Sequence, residues 1–476
     1  MISFMPKRPG IASAGMLAIA IAVAVIVAGV LNSLPGVPRE AALMGGIFVL
    51  AAGLWVTEAL PLFATSLLVV GLEIILLSNP GGWSGLGFES GDSPNYRQFI
   101  SAAADPILLL FFGGFLLARA AVNEGVDQAM SALLLRPFGS NPMMVMLGFM
   151  LVTATFSMWM SNTATTAMMI ALVGPMLATM DPTEPFRKGL VLSIPFAANI
   201  GGMGTPIASP PNAVAVGFLN EQGFAVSFLG WMLVAVPLMA VLLFFAWQLI
   251  WKLYRPKTEG LEFKPESRPL PARGWFVVTV FSITVLLWMT DKWHGLPSAV
   301  VALLPAIAFT ATGVIKRSDV NSLDWHILIL ISGGIALGFG IQETRLDRIL
   351  VSWLPLEEGT PALVVTVILV AATFVLSTFM SNTAAANLLL PISVSTATVL
   401  GGNVQGHAVQ FALSIALTAS VAMALPISTP PNAIAYGRGG MEVRDMAKTG
   451  AIIGAAASAL IILLLGLLLK INPALD

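Results

Sequence analysis

A series of apolar stretches, most of them about as long as a bilayer core is thick, constrains this chain more than any other feature. They fall near 11–32, 40–60, 62–78, 105–122, 189–205, 228–251, 274–290, 297–314, 325–341, 407–425 and 445–470. Two further stretches, 142–180 and 360–400, are about twice spanning length. Each of these two is interrupted at its middle by Ser-Asn-Thr. Lipid offers the backbone no hydrogen bonds, so spans of this length must be helices. The expected fold is an all-α polytopic membrane protein, with eleven transmembrane helices and two interrupted stretches of another kind. Composition agrees. The chain is 57% hydrophobic and 10% charged, with a mean hydropathy of +0.89, more apolar surface than a soluble chain of 476 residues can hide. Lys7 and Arg8 precede the first apolar run as they would in a signal peptide. That run is long enough to span and lacks a clear small-residue cleavage site before Leu34-Pro35, so it reads as the first transmembrane helix.

Charge sets the orientation. With the N-terminus in the cytoplasm and the spans alternating, seventeen Lys and Arg fall inside, among them Arg119, Arg187, Lys188, Lys316, Arg438 and Lys448. Six fall outside: Arg39, Arg97, Lys292, Arg345, Arg348 and Lys470. The expected location is the cell inner membrane, with the C-terminus outside. The net charge of −1 gives nucleic acid no reason to bind. The lack of cysteine excludes disulfides, thiolate metal sites and cysteine nucleophiles.

The two halves repeat at an offset of 220 residues. Phe112-Gly113-Gly114 answers Ser332-Gly333-Gly334, and Asp127 answers Asp347. Ser161-Asn162-Thr163-Ala164 answers Ser381-Asn382-Thr383-Ala384, and Pro210-Pro211-Asn212-Ala213 answers Pro430-Pro431-Asn432-Ala433. By parity the Gly-Gly span of the first half runs outside to inside and its partner runs inside to outside. The expectation is therefore a pair of inverted repeats, as in many secondary transporters. Each broken stretch is either two full spans joined by a polar loop or a re-entrant hairpin. Uncharged tips beside the Pro-Pro-Asn segments favour the hairpin. The expected division is first-half scaffold 1–137, first-half hairpin and transport helices 138–255, a cytoplasmic linker 256–273, second-half scaffold 274–356, and second-half hairpin and transport helices 357–476.

Every interruption carries chemistry. Ser, Asn and Thr suit helix N-caps, so Ser161-Asn162-Thr163 and Ser381-Asn382-Thr383 can open the second hairpin arms. The prolines of Thr205–Asn212 and Leu425–Asn432 bar a continuous helix and suit the first turn of a new one. Four helix N-termini near mid-membrane would attract an anion. Unwound carbonyls with Ser, Thr and Asn oxygens suit a hard cation. No Asp, Glu, Lys or Arg lies within 142–180, 189–220, 361–401 or 407–437. A proton-coupled carrier usually carries a titratable group in its path, so neutral oxygens fit sodium better. The Gly pairs read as close-packing positions, Glu58 and Asp291 as caps or interfacial contacts at span ends, and His294, His326 and His407 as interfacial. No nucleophile–base pair or metal cluster suggests an enzyme.

At these residues the sequence resembles the divalent anion/sodium symporter family, the INDY-type di- and tricarboxylate transporters. The resemblance covers essentially the whole chain. It is strongest at Ser157-Met-Trp-Met-Ser161-Asn162-Thr163-Ala-Thr-Thr, at Ser377-Thr-Phe-Met-Ser381-Asn382-Thr383 and at Pro426-Ile-Ser-Thr-Pro-Pro-Asn432. It implies a homodimer of scaffold and mobile transport domains, an elevator motion, two sodium ions and a dicarboxylate between the hairpin tips. By motif position, Ser157, Ser161, Asn162 and the Ala208 backbone would form the first sodium site. Ser377, Asn382 and the Met380 and Ser428 backbones would form the second. Ser161, Asn162, Thr163, Ser209, Ser381, Asn382, Thr383, Thr429 and Pro430 would line the substrate. Ala208-Ser209-Pro210 replaces a Gly-rich turn, and Ala384-Ala385-Ala386-Asn387 stands where Ala-Thr-Thr is common. The expected activity is sodium-coupled import of a C4-dicarboxylate such as succinate, malate or fumarate. A sodium-independent dicarboxylate or 2-oxoglutarate exchanger, or a citrate or sulfate carrier, would use the same scaffold.

Overall fold

The computed structural model describes residues 11–224, 226–257, 269–353, 356 and 359–471. Lys7, Arg8, Lys264, Arg268 and most of the expected linker 256–273 lie outside the described residues.

The described residues are mainly α-helical. The N-terminal part contains α1 (Ile11–Ser33), α2 (Arg39–Thr57), α3 (Leu62–Leu72), α4 (Tyr96–Ala103), α5 (Ile107–Asn123) and α6 (Val126–Leu135). α3 runs on through a π-helical turn, Glu73–Ser78. The first broken stretch is α7 (Pro142–Ser157) and α8 (Asn162–Thr179); α9 (Pro185–Gly201), α10 (Pro210–Glu221) and α11 (Phe228–Leu253) follow. Next come α12 (Ala272–Met289), α13 (Asp291–His294), α14 (Ser298–Val301), α15 (Leu303–Ala311), α16 (Arg317–Asn321), α17 (Trp325–Glu343) and α18 (Leu346–Ser352). The second broken stretch is α19 (Ala362–Phe379) and α20 (Asn382–Leu400), followed by α21 (Val404–Val421), α22 (Pro430–Gly437) and α23 (Val443–Ile471).

Ten helices among the described residues are long and apolar enough to cross a membrane. Eight lie where spans were expected, and the other two are the arms α19 and α20. Three expected spans are shorter or interrupted. Leu62–Ser78 is short and changes its winding at Glu73. Stretch 297–314 divides at Ala302, three residues before Pro305, which has no N–H to bond back across the division. Stretch 189–205 is the body of α9, which begins earlier with Arg187 and Lys188 and stops at Gly201.

The Gly pairs are packing positions, as expected. A Cβ on Gly113 would lie 2.5 Å from the Ala302 carbonyl oxygen, and one on Gly333 2.3 Å from Ser66 Cβ. A Cβ on Gly334 would lie 2.1 Å from Asn387 Oδ1. α17 thus packs backbone-close against α3 on one side and α20 on the other. Glu58 ends α2 in the left-handed region at φ 50°, and the Asp291 carboxylate accepts from the N–H of Phe228 at 3.3 Å, so both serve helix ends. The larger apolar core joins α7–α11 to α19–α21 and α23, while a smaller one joins α2 and α3 to α17 and α20.

Candidate functional site

Both broken stretches fold as helical hairpins whose tips meet a second interruption. α7 stops at Ser157, Met158–Ser161 form the turn, and α8 starts at Asn162. Ser157 is wholly buried. Its Oγ lies 2.6 Å from Asn162 Oδ1 and 2.8 Å from the Ala198 carbonyl oxygen on α9. In the second hairpin Ser377 Oγ lies 2.7 Å from Asn382 Oδ1 and 3.3 Å from the Ala419 carbonyl oxygen on α21. A hydroxyl donates one proton, so it serves one of these acceptors at a time. Each tip therefore gathers three neutral oxygens, a donor set that suits a hard cation.

The second interruption separates α9 from α10 and, in the other half, α21 from α22. Its Asn explains the Pro-Pro-Asn motif. The Asn212 amide donates to the carbonyls of Gly202 at 2.9 Å and Thr205 at 2.8 Å. The Asn432 amide donates to those of Met423 at 2.8 Å and Leu425 at 3.0 Å. The prolines occupy a first turn, where no N–H is needed, and the Asn satisfies carbonyls that the preceding helix leaves without partners. Each break also holds its hairpin tip. Thr205 Oγ1 donates to the Met158 carbonyl, and Ser428 Oγ donates to the Thr378 carbonyl at 3.0 Å. Met158 and Thr378 correspond at the 220-residue offset.

The halves are stitched across one another. Asn199 on α9 donates its amide to Thr429 Oγ1 at 3.1 Å and Asn432 Oδ1 at 3.2 Å. Ser420 on α21 lies 2.9 Å from Ser209 Oγ and donates to Asn212 Oδ1 at 3.1 Å. A first-half helix thus braces the second-half break, and a second-half helix braces the first.

The expected site residues are distributed as follows. Ser157 and Asn162 meet, as do Ser377 and Asn382, with Ala198 and Ala419 supplying oxygens the sequence did not point to. Ser161 and Ser381 stand at the N-cap positions of α8 and α20, but neither side chain caps. The capping expectation fails at both positions. The side-chain hydroxyls of Ser161, Thr163, Ser381 and Thr383 hydrogen-bond to no protein group among the described residues, so they are available to a ligand. Ser209 turns to Ser420 instead of capping α10, whereas Thr429 accepts the Asn432 N–H at 3.3 Å and caps α22. Ala208 and Ser428 lie buried on the breaks, Met380 is extended at the end of α19, and Pro430 is exposed at the first turn of α22.

Two further features eluded the sequence reading. Gly202 makes room for Asn162, since a Cβ there would lie 2.3 Å from Asn162 Nδ2. Glu73, inside the apolar stretch 62–78, is wholly buried against α17, where a Cβ on Gly340 would lie 2.3 Å from its Oε1. A lone carboxylate in an apolar run was a readable signal.

The repeats differ in exposure. At the first tip Trp159 stacks on Phe228 with ring centres 6.1 Å apart and meets Phe281 of α12 edge-on at 5.9 Å. Ile207 is buried and packs over Gly114 of α5. The corresponding second-half residues, Phe379 and Ile427, are 71% and 81% exposed.

Residues 12–471 match the family described as Sodium:sulfate symporter transmembrane region. The chain is 32% identical to an uncharacterized transporter of Haemophilus influenzae over 445 residues, covering 89% of this chain and 90% of that one. It is 30% identical to the sodium-dependent dicarboxylate transporter SdcS of Staphylococcus saprophyticus over 468 residues, covering 88% and 85%. The SdcS of Staphylococcus aureus strain USA300 is 29% identical over 475 residues, covering 90% and 87%. Among solved structures, MtrF of Neisseria gonorrhoeae superposes with a TM-score of 0.57 at 10% identity, over 98% of this chain and 96% of that one. The YdaH transporter of Alcanivorax borkumensis superposes with a TM-score of 0.53 at 13% identity, over 92% and 100%. At these identities the likeness is one of fold.

Proposed function

The chain belongs to the sodium:sulfate symporter transmembrane family, a family of transporters and not of enzymes, and from that premise we propose that it carries a C4-dicarboxylate such as succinate, malate or fumarate into the cell, driven by sodium. The observation that carries this reading is the duplicated trio of neutral oxygens at the hairpin tips: Ser157, Asn162 and Ala198 in one half, Ser377, Asn382 and Ala419 in the other. One sodium ion would sit at each trio, with the Ala208, Met380 and Ser428 backbones as further ligands. The two ions offset the charge of a dianion, whose carboxylates meet the amide groups of Asn162 and Asn382 and the hydroxyls of Ser161, Thr163, Ser381 and Thr383. The N-termini of α8 and α20 add partial positive charge. No cationic side chain is needed, and none lies in these segments.

Alternating access follows from inverted repeats. Residues 1–137 and 274–356 form the scaffold, and 138–255 and 357–476 carry the cargo as re-entrant hairpins with their broken helices. The N-terminal side lies in the cytoplasm, the C-terminal end outside, and the protein works as a homodimer in the inner membrane. The difference between the packed pair, half-buried Trp159 and buried Ile207, and the exposed pair Phe379 and Ile427 supports an elevator motion, because an equivalent second state would exchange these environments.

The test is uptake of labelled succinate into liposomes by Asn162→Ala and Asn382→Ala. Each removes a residue given both to cation and to cargo, and uptake at limiting succinate should fall about tenfold or more. Intact uptake in both would place the site elsewhere.

A further inference from the structure

The two ends of the repeat pair are built alike but lined differently. The first-half helix α10 packs against α20 and α21 of the second half, and the second-half helix α22 packs against α8 and α9 of the first half in the corresponding arrangement. Where α10 meets its neighbours, the space is filled by Phe218, which is 1% exposed and lies against α17, 3.0 Å from where a Cβ on Gly338 would stand. The position 220 residues on is Arg438. There the seam is open. A cavity of about 180 Å³ lies between α8, α9 and the turn after α22, lined by Leu177, Arg187, Lys188, Arg438, Gly439 and Gly440 among others. The residues answering Arg187 and Lys188 fall among His407, Ala408 and Val409, which carry no fixed charge. Helix packing in this fold therefore does not require three cations at the seam.

The cations differ in their engagement. Lys188 pairs with Asp445 at 3.0 Å. Arg187 is half-buried and Arg438 is exposed, its guanidinium lying against α8 with Nη2 3.0 Å from where a Cβ on Gly174 would stand. Neither guanidinium has an ion pair or hydrogen bond to protein among the described residues. Two planar, permanently charged forks beside an ammonium suit the fixed geometry of an oxyanion.

We infer that this cavity binds a phosphate-class oxyanion on the side of the protein opposite the Phe218 plug. The orientation expected from charge puts it on the cytoplasmic face. Free phosphate and a phospholipid headgroup offer the same chemistry, and basic pockets between helices at that face suit headgroups. The inference does not depend on the cargo proposed above.

Thermal unfolding of the purified protein tests it. The probes are potassium phosphate, compared with potassium chloride at equal ionic strength, and phosphatidylcholine vesicles with and without phosphatidylglycerol. The wild type should unfold at a higher temperature with at least one probe. A shift with phosphate alone assigns a soluble anion; a shift with phosphatidylglycerol alone assigns a headgroup. The shift should be lost in Arg187→Gln/Arg438→Gln and in Arg438→Phe, which puts at this seam the residue that the corresponding position of α10 carries. Unfolding transitions measured without anion establish that both variants fold. No shift in the wild type with either probe, or an equal shift in wild type and Arg438→Phe, overturns the inference.

Discussion

Single residues at the site do work that their types alone do not announce. Asn162 needs the space that Gly202 leaves. Gly202→Ala should therefore behave like a site mutation, cutting succinate uptake about as much as Asn162→Ala while the protein still folds; a Gly202→Ala protein with normal uptake would show that Asn162 can move freely. Asn212→Ala removes three buried hydrogen bonds, two donated to the Gly202 and Thr205 carbonyls and one accepted from Ser420, and leaves the Gly202 carbonyl without a partner among the described residues. It should cost about 2 kcal/mol or more in a denaturation series. The duplicated Ser-Asn-Thr and Pro-Pro-Asn motifs were legible because both halves keep them in one register. Asn199 and Ser420 were not. They play matching parts in the two halves, but they differ in type and stand 221 residues apart, so a search at 220 passes over them. Their partners lie in the opposite half, a relation that local sequence does not encode.

At the scale of elements, hydropathy located the spans but not their interruptions. Stretch 62–78 reads as one uniform helix, yet it changes winding at Glu73, where its carboxylate fits over Gly340. Gly340→Ala should destabilise the protein by about 1–3 kcal/mol through overpacking. The cost should shrink in a Glu73→Ala background, and a double-mutant cycle showing simple additivity would rule the contact out. α16 gives a pH-dependent case. The backbone N–H of Lys316 at 2.9 Å, and after it the Arg119 guanidinium at 3.0 Å, hold the Asp319 carboxyl below its ordinary range. A depressed folded value stabilises the protein above the ordinary carboxylate range near pH 4 and loses that contribution as pH falls through the folded value. The stability difference between wild type and Asp319→Asn should thus be full at pH 7 and vanish in acid. A difference independent of pH would mean that the carboxylate charge plays no part.

At the scale of the whole molecule, the halves share a pattern of bonds while differing in what they expose. The chain has no cysteine, so single cysteines report without background. In elevator exchange, a cysteine at Ile427 should react readily with a polar maleimide and one at Ile207 slowly. Conditions that favour the opposite state should reverse that order, and reactivities indifferent to sodium and succinate would contradict the motion. The central claim is that neutral oxygens at the two tips couple sodium to a dicarboxylate. Its most direct test is uptake of labelled succinate into liposomes holding the purified protein, under an inward gradient of sodium and then of choline. Accumulation with sodium and none with choline is the expected result. Equal uptake in both would contradict sodium coupling and recast the protein as an exchanger on the same scaffold.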